Sequence, residues 1–558
     1  MTKEHFTYWQ MVWNHYKRHP LGTLALYVVI FFCLVGIYAP FLASSKPLIV
    51  QYEGQWYFPL FRYLFFTGFY TKFLDVFYNL MMFTLPLLLF SHWILRKRIK
   101  IRKIANCILL LTQFFLFLFL VLRPAIDPSS NSTLNLKKQE RLQVNIKALK
   151  IDPFTTSPLL PDWQQDLTYL NEYGKLNLVL NYQHSKLQHE RLLHYQKAYA
   201  EGASKKGKKE TTIPTLWFFE TLREKQQVDD QLQILNQFQS EYVDKKKIRD
   251  EFLKKCQPNC EAIISTLSSL EKENLLQAKR KIDQYDKAQA QLNYLKDKKN
   301  WLNAQLNLLH YELMPLLSPY HWEDDVGGEQ DLNQYISWWE LTRINRKNMV
   351  AALIFGIRIS LSVGLLAISL ALLIGVPLGA IAGYYGGKID LFLYRLIEIW
   401  ESMPTFFMLL MIVAFLQSKS IFLVIGVIGL FGWTNFSRFI RGEFLKQKQL
   451  PYVEACHALG FNNRRIMFSH LLPNAIPPLL TLIPFAIMSA ITSEAGLSFL
   501  GLGEEGSSSW GVLMDEGRSA FPSESYLLWP PAILLTLLLV AIAIVGDTLR
   551  DALDPKLN

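Results

Sequence analysis

The sequence predicts an all-α, polytopic membrane protein with a helical, coiled-coil-like insert outside the bilayer. Three observations lead there. Apolar residues fill 51% of the 558 positions although 19% are charged, so the two kinds must be segregated along the chain. Eight apolar runs approach the roughly 20 residues that a helix needs to cross a bilayer. The long polar region at 124–348 places apolar residues at helical spacing. A formal net charge of +11 admits nucleic acid or an anionic membrane surface as a partner. The basic clusters abut apolar runs and no nucleic-acid motif accompanies them, so the membrane is expected and nucleic acid is not.

The first run, Leu21 to Ala43, follows Lys17 and Arg18, which predicts a cytoplasmic N-terminus. The run is long for a signal peptide and Ala43-Ser44-Ser45 is a poor cleavage site, so an uncleaved anchor is expected. Runs from Val76 to Leu95 and Ile104 to Leu122 flank Arg96-Lys97-Arg98-Ile99-Lys100-Ile101-Arg102-Lys103, in which six of eight residues are basic. Short basic loops stay inside the cell, so this pair reads as a transmembrane hairpin entered from outside. The chain divides accordingly into 1–50 (cytoplasmic segment and first span), 51–123 (outer loop and hairpin), 124–348 (extracytoplasmic insert) and 349–558 (membrane core).

Within the insert, Val228, Leu232 and Leu235 are spaced four and three, Ile282 and Tyr285 three, and Leu302, Leu306, Leu309 and Leu313 four-three-four. The turn signal Cys256-Gln257-Pro258-Asn259-Cys260 separates the two stretches. Two antiparallel helices of about 40 residues would make a rod on the order of 60 Å long; a bundle folded on itself is the alternative. Cys256 and Cys260 stand in an oxidising compartment on this topology, as a disulfide or as two unpaired thiols. Past Met349 come runs at Ile359–Ala382, Leu391–Leu416, Ile421–Ile440, Ile476–Leu500 and Leu527–Ile544. Eight spans return the C-terminus to the cytoplasm. They also place Arg441, Lys446, Lys448, Arg464 and Arg465 there, in agreement with the charge rule.

The most informative stretch is Glu454-Ala455-Cys456-His457-Ala458-Leu459-Gly460, with His470, Leu472 and Pro473 following. A short helix bearing Glu454 can pack through the small Ala455 and Cys456, end at Gly460 in a left-handed cap, and give way to a second helix that Pro473 breaks before the next span. Such a helix-turn-helix suits a groove on a partner; an ordinary basic loop is the plainer reading. The stretch resembles the EAA loop of permeases that work with a binding protein and a separate ATPase, with Cys456 in place of the third alanine. Further residues are similar to the oligopeptide/dipeptide permease family: Gly356-Ile357-Arg358-Ile359-Ser360, Ala382-Gly383-Tyr384-Tyr385-Gly386-Gly387, Gly432-Trp433 with Arg438, Arg441 and Glu443, Leu497 to Gly503, Ser509-Trp510-Gly511, Glu516-Gly517-Arg518, and Gly546 to Pro555. The last set resembles the C-type subunit. Lys46 to Val50, Gly54 and Trp56-Tyr57-Phe58-Pro59 resemble the Yej-type branch.

The resemblance implies a core of six spans typical of type I ABC importers. It implies a homologous second permease subunit, two ATPase subunits that bind the ATP, an extracytoplasmic peptide-binding protein and a peptide substrate. It places no catalytic residue, cofactor or metal in this chain. The family's usual Gly-Thr-Asp and Gly-Arg-Asp stretch is missing, with Asp324-Asp325-Val326-Gly327-Gly328 as a remnant, and residues 76–348 have no counterpart in the usual subunit. Arg358, Arg395, Glu398 and Glu401 lie in or near core spans. They either line the pathway or anchor the cytoplasmic interface, with a helix break at Ser402-Met403-Pro404. Gly202 to Lys209 imitates a phosphate loop but lacks the final Ser or Thr and a preceding strand. His189 and His194 are five apart, where a zinc-protease helix needs four. An envelope interaction protein acting through the insert is the rival class.

Overall fold

The computed structural model describes residues 8–44, 46–65, 73–96, 98–123, 160–184, 186–187, 220–256, 263–264, 266–316, 349–416, 419–504, 507–519 and 528–553. The expectations for 189–194, 202–209 and 324–328 fall outside them, as does Cys260. Among the described residues seven helices are long and apolar enough to cross a membrane. In chain order the elements are α1 (Tyr8–Lys17), α2 (Pro20–Ile37), strands β1 (Ile49–Tyr52) and β2 (Gln55–Tyr57), α3 (Phe73–Ile94), α4 (Ile99–Leu122), α5 (Glu220–Cys256), α6 (Ser269–Leu306) and β3 (Leu309–Leu313). The core continues with α7 (Met349–Tyr385), α8 (Gly387–Glu401), α9 (Thr405–Leu416), α10 (Ile421–Gln447), α11 (Pro451–Ala458), α12 (Leu472–Leu480), α13 (Ile483–Leu497), α14 (Trp510–Ser519) and α15 (Trp529–Leu553).

The centre of the bundle is the pair α7 and α10. Gly375, Gly379 and Gly383 stand four apart and put one bare stripe of α7 against α10. A Cβ at Gly375 would run into the carbonyl oxygen of Trp433, one at Gly379 into that of Ser437, and one at Gly383 would sit 2.6 Å from Phe444 Cβ. Small residues at this spacing let two membrane helices approach through their backbones, which compensates for the weak hydrophobic drive between helices in lipid. Around the pair, Val424, Ile428, Phe436, Ile440 and Phe444 of α10 meet Val363, Ala367, Ala371 and Ala380 of α7 in a buried core.

Two predicted spans are divided. Ile476–Leu500 is split between α12 and α13 at 481–482. Leu391 to Leu416 becomes α8 and α9 with a break at 402–404, where Pro404 has no N–H to continue the helical ladder. Asp390 and Glu401, 11 residues apart on α8, reach Arg441 and Arg438, only three apart on α10. Helix α8 therefore crosses α10 obliquely, and α9, about 18 Å long, is too short to span the hydrocarbon by itself.

A three-stranded sheet, shared between the segment after α2 and the end of the insert, interrupts the otherwise helical architecture. The hairpin β1–β2 turns at Glu53-Gly54, both at positive φ (50° and 78°), as a two-residue hairpin turn requires. Strand β3 pairs antiparallel with β1 on its other side, giving the order β2-β1-β3. The run Leu302, Leu306, Leu309, Leu313 is thus not one helix. Helix α6 ends at Leu306, and Leu309 and Leu313 pair with Tyr52 and Ile49. Backbone pairing with a strand some 260 residues earlier overrides the local helical spacing. Leu302 is buried with Val50, Tyr52, Tyr57 and Leu176 in a small separate core. Beyond it, α5 and α6 lie antiparallel. Leu235 packs on Ala288 and Leu292, and Tyr242 stacks on Tyr285 with ring centroids 4.0 Å apart. At 37 and 38 residues the two helices are each about 55 Å long. Cys256 ends α5.

The first and last described helices, α1 and α15, meet at one end of the bundle. Val12 and Tyr16 of α1 are buried against Ala552 and Leu553 of α15, and the 451–473 loop lies at that same end, with Tyr8, Tyr452, Pro473 and Arg550 around one cleft.

Candidate functional site

The 451–473 loop is built as a closed unit. Pro451 opens α11, where its missing N–H and fixed φ suit the first turn. Glu454 sits in that turn, at the positive end of the helix dipole. The helix closes with both hydrogen bonds of a Schellman motif: Gly460 N–H to His457 O at 2.9 Å and Phe461 N–H to Cys456 O at 3.1 Å, with Gly460 at φ +71°. The left-handed cap predicted at Gly460 is what the backbone adopts. Val453 and Cys456 form the buried face and Phe461 packs beside them. Glu454 and Ala455 face outward, so close packing runs through Val453 and Cys456, and Ala455 takes no part in it. The reason is helical spacing: 453 and 456 share a face and 455 does not.

The second half also differs from expectation. Asn462 caps a short turn at Asn463–Arg465, which runs into a π-helical turn, Ile466–Leu471, and without interruption into α12. Pro473 stands in the first turn of α12. It starts that helix, because a proline at this place removes only a donor that the widened turn leaves unused. His470 lies in the π-turn, stacked on Phe461 at 5.6 Å, and the Arg465 guanidinium lies over that ring at 4.3 Å. Leu471 is fully buried, Leu472 is half-buried, and Pro473 is exposed.

Tyr384 fastens this loop to the core. Its hydroxyl donates to Asn463 Oδ1 at 2.9 Å, its carbonyl accepts from Lys448 Nζ at 2.7 Å, and its ring stacks on His457 at 6.4 Å. Sequence reasoning placed Tyr384 in a family motif without this role. The motif's aromatic pair at the end of a helix rich in small residues is the signal that it offers. Tyr384→Phe should loosen the loop by about 0.5–1.5 kcal/mol, the value of one hydrogen bond. The measurable result is up to about tenfold faster amide exchange over 451–465. Unchanged exchange there would remove Tyr384 as the fastening.

The four charged candidates do not form one group. Arg395 pairs with Glu398 at 2.6 Å on the exposed side of α8, and Glu401 bonds Arg438 of α10. Nearer the loop, Arg441 grips Asp390 through two bonds of 2.5 and 2.7 Å. Arg358 lies elsewhere, toward the opposite end, fully buried. Its Nη1 donates to Asp75 at 2.8 Å, its Nε to Gly36 O at 2.7 Å, and its Nη2 to Ile37 O and Asn79 Oδ1, each at 3.1 Å. Asp75 and Asn79 belong to α3, the added hairpin, and sequence spacing did not connect them with Arg358. Tyr78 of the same helix donates to Arg358 O at 3.2 Å.

A second set of motifs converges at that opposite end. Glu494, buried on α13, accepts from Ser498 and Ser509 hydroxyls at 2.7 Å each. Trp510 Nε1 donates to Leu353 O at 3.0 Å, and a Cβ on Gly356 would strike Ser508 O and the Trp510 ring. These contacts pin Ser498 and residues 508–510 to α7 and α13. Among the described residues no three His, Cys, Asp or Glu side chains come together as a metal site.

The architecture is that of an integral, multi-pass membrane protein whose motif residues gather at two opposite ends. Comparison with known proteins gives the family. The domain described as "Binding-protein-dependent transport system inner membrane component" matches residues 375–558, and the "N-terminal TM domain of oligopeptide transport permease C" matches residues 7–59. The chain is 40% identical over 219 residues to the peptidoglycan transport system permease protein YejE of Agrobacterium fabrum, covering 39% of this chain and 57% of that relative. It is 36% identical over 219 residues to the inner membrane ABC transporter permease protein YejE of Escherichia coli, covering 64% of it. To the oligopeptide transport system permease protein OppC of Haemophilus influenzae it is 33% identical over 252 residues, covering 45% of this chain and 81% of that relative. The chain belongs to the binding-protein-dependent inner-membrane permease family, in its oligopeptide/dipeptide group and with the Yej-type branch among its relatives. It spans under two thirds of the length of the two YejE relatives.

Proposed function

We propose that this chain is the C-type permease subunit of an ABC importer that moves peptides across the inner membrane. It would be coupled through 451–473 to two separate ATPase subunits, which bind and hydrolyse the ATP. A homologous second permease subunit would complete the pathway, and an extracytoplasmic binding protein would deliver the peptide. The observation that carries the reading is α11: a short helix closed by its Schellman cap, with the loop that follows fastened to the core by Tyr384, that turns Glu454 and Ala455 outward. A rigid knob on a rigid support transmits a partner's displacement; a slack loop would absorb it. Supporting the orientation, Lys17, Arg18, Arg98, Lys100, Arg102, Lys446, Lys448, Arg464 and Arg465 all fall at the loop end of the helices that carry them. By the charge rule this is the cytoplasmic end, with both termini on it.

Glu454→Ala tests the coupling. It should reduce capture of the ATPase subunits by about tenfold, as expected for a central contact residue, and lower peptide uptake in step, while leaving the subunit's own melting temperature unchanged. Undiminished ATPase capture and uptake would turn the assignment toward an envelope interaction protein acting through its insert.

A further inference from the structure

At the loop end an open cleft of about 940 Å³ lies between α1 and the ends of α10, α12 and α15. Trp9, Glu443, Lys446, Asn474, Thr481 and Arg550 line it. Its position is fixed by the helices that form it. Lys446 lies in the last turn of one apolar span and Arg550 in the last turn of another, so both cations stand where helices leave the hydrocarbon and meet the headgroups. Helix α1 roofs the cleft from the side. Val12 and Tyr16 bind it to α15, while Trp9 and Trp13 remain about half exposed at 54% and 47%. A short amphipathic helix with outward tryptophans and with Lys17 and Arg18 at its end has the composition of an element lying in the membrane interface.

The charges in the cleft do not cancel. Glu443 stands 3.8 Å from Lys446 and offsets that cation. Arg550 makes no ion pair among the described residues. A cation at headgroup depth, beside an ammonium and the Asn474 amide and under an aromatic roof, matches a phosphate that carries apolar chains. It matches a free anion less well, since Phe439, Pro477, Pro478 and Leu553 make up much of the wall. We infer that this cleft binds the phosphate headgroup of an anionic phospholipid, and that the lipid holds α1 against α10 and α15.

The test uses the full chain in nanodiscs or detergent, with phosphatidylglycerol, phosphatidylcholine and soluble glycerol 1-phosphate as probes, read by native mass spectrometry and thermal unfolding. Phosphatidylglycerol should bind at one site and raise the melting temperature; phosphatidylcholine should not. Each basic residue near an anionic surface is worth about a fivefold change, so K446Q/R550Q should weaken phosphatidylglycerol roughly thirtyfold and leave the melting temperature in phosphatidylcholine unaltered. Thr481→Phe fills the cleft while retaining its charges, and should abolish the bound lipid as well. Equal phosphatidylglycerol binding by wild type and by either variant would overturn the inference. So would a full shift from glycerol 1-phosphate alone, which would mark a free-anion site, or lipid-independent cross-linking of the cleft to an ATPase subunit.

Discussion

Asp75→Ala is expected to destabilise the bundle by roughly 3–5 kcal/mol, the usual consequence of stripping one partner from a buried ion pair. The Arg358 side chain is 1% exposed and Asp75 12%. Without Asp75 the guanidinium keeps Gly36 O, Ile37 O and Asn79 but loses its only counter-charge among the described residues, in a setting where water cannot replace it. Asp75→Asn retains an acceptor and should cost less. Replacing both residues, as D75L/R358M, should recover part of the loss, because an apolar pair of similar volume removes the buried charge. Recovery stays incomplete, since the two carbonyls at the end of α2 lose their donor. Thermal unfolding of the purified variants measures this. A melting temperature for Asp75→Ala within about 2 °C of wild type would mean that the hairpin is not anchored here.

Gly379→Leu should have the second large effect. The neighbours of the missing side chain are backbone atoms of Ser437 on α10, which cannot rotate away. Overpacking of a core ordinarily costs about 1–3 kcal/mol, and more when the obstruction is backbone. Here the cost falls on the pair at the centre of the bundle. Gly379→Ala should fall within that range, whereas Gly379→Leu should prevent accumulation of folded protein. Size-exclusion chromatography with limited proteolysis distinguishes the outcomes, and wild-type yield and protease resistance of Gly379→Leu would refute the packing argument.

These two positions mark what a sequence reader can and cannot see. Hydropathy runs located the long spans because membrane burial acts on each helix separately. Local chemistry located the Gly460 cap and the break after Glu401, because a cap and a proline act within one turn. The four-residue spacing of Gly375, Gly379 and Gly383 was also there to be read, although the facing surface was not. Arg358 and Asp75 could not have been matched, since they stand 283 residues apart and meet only through the packing of α2, α3 and α7. The same limit explains Leu309 and Leu313. Their spacing is helical, and only a distant strand converts them to β structure. The loop was legible as a motif, while its attachment through Tyr384, Asn463 and Lys448 required the fold.

The placement of β3 beside β1 has a consequence for how such a chain could arise. Strands β2 and β3 flank β1 and so lie about 10 Å apart; the polypeptide leaves the sheet after Phe58 and rejoins it at Leu309 with one strand between. A segment whose two ends are neighbours can be lengthened, exchanged or grafted without moving the host's helices. The loop-entropy penalty of doubling its length is only about 0.6 kcal/mol. The module has nevertheless become joined to its host through α3, where Asp75 and Asn79 bond Arg358 and Tyr78 donates to its carbonyl. Moved elsewhere, this segment would take with it the counter-ion on which Arg358 relies in this chain.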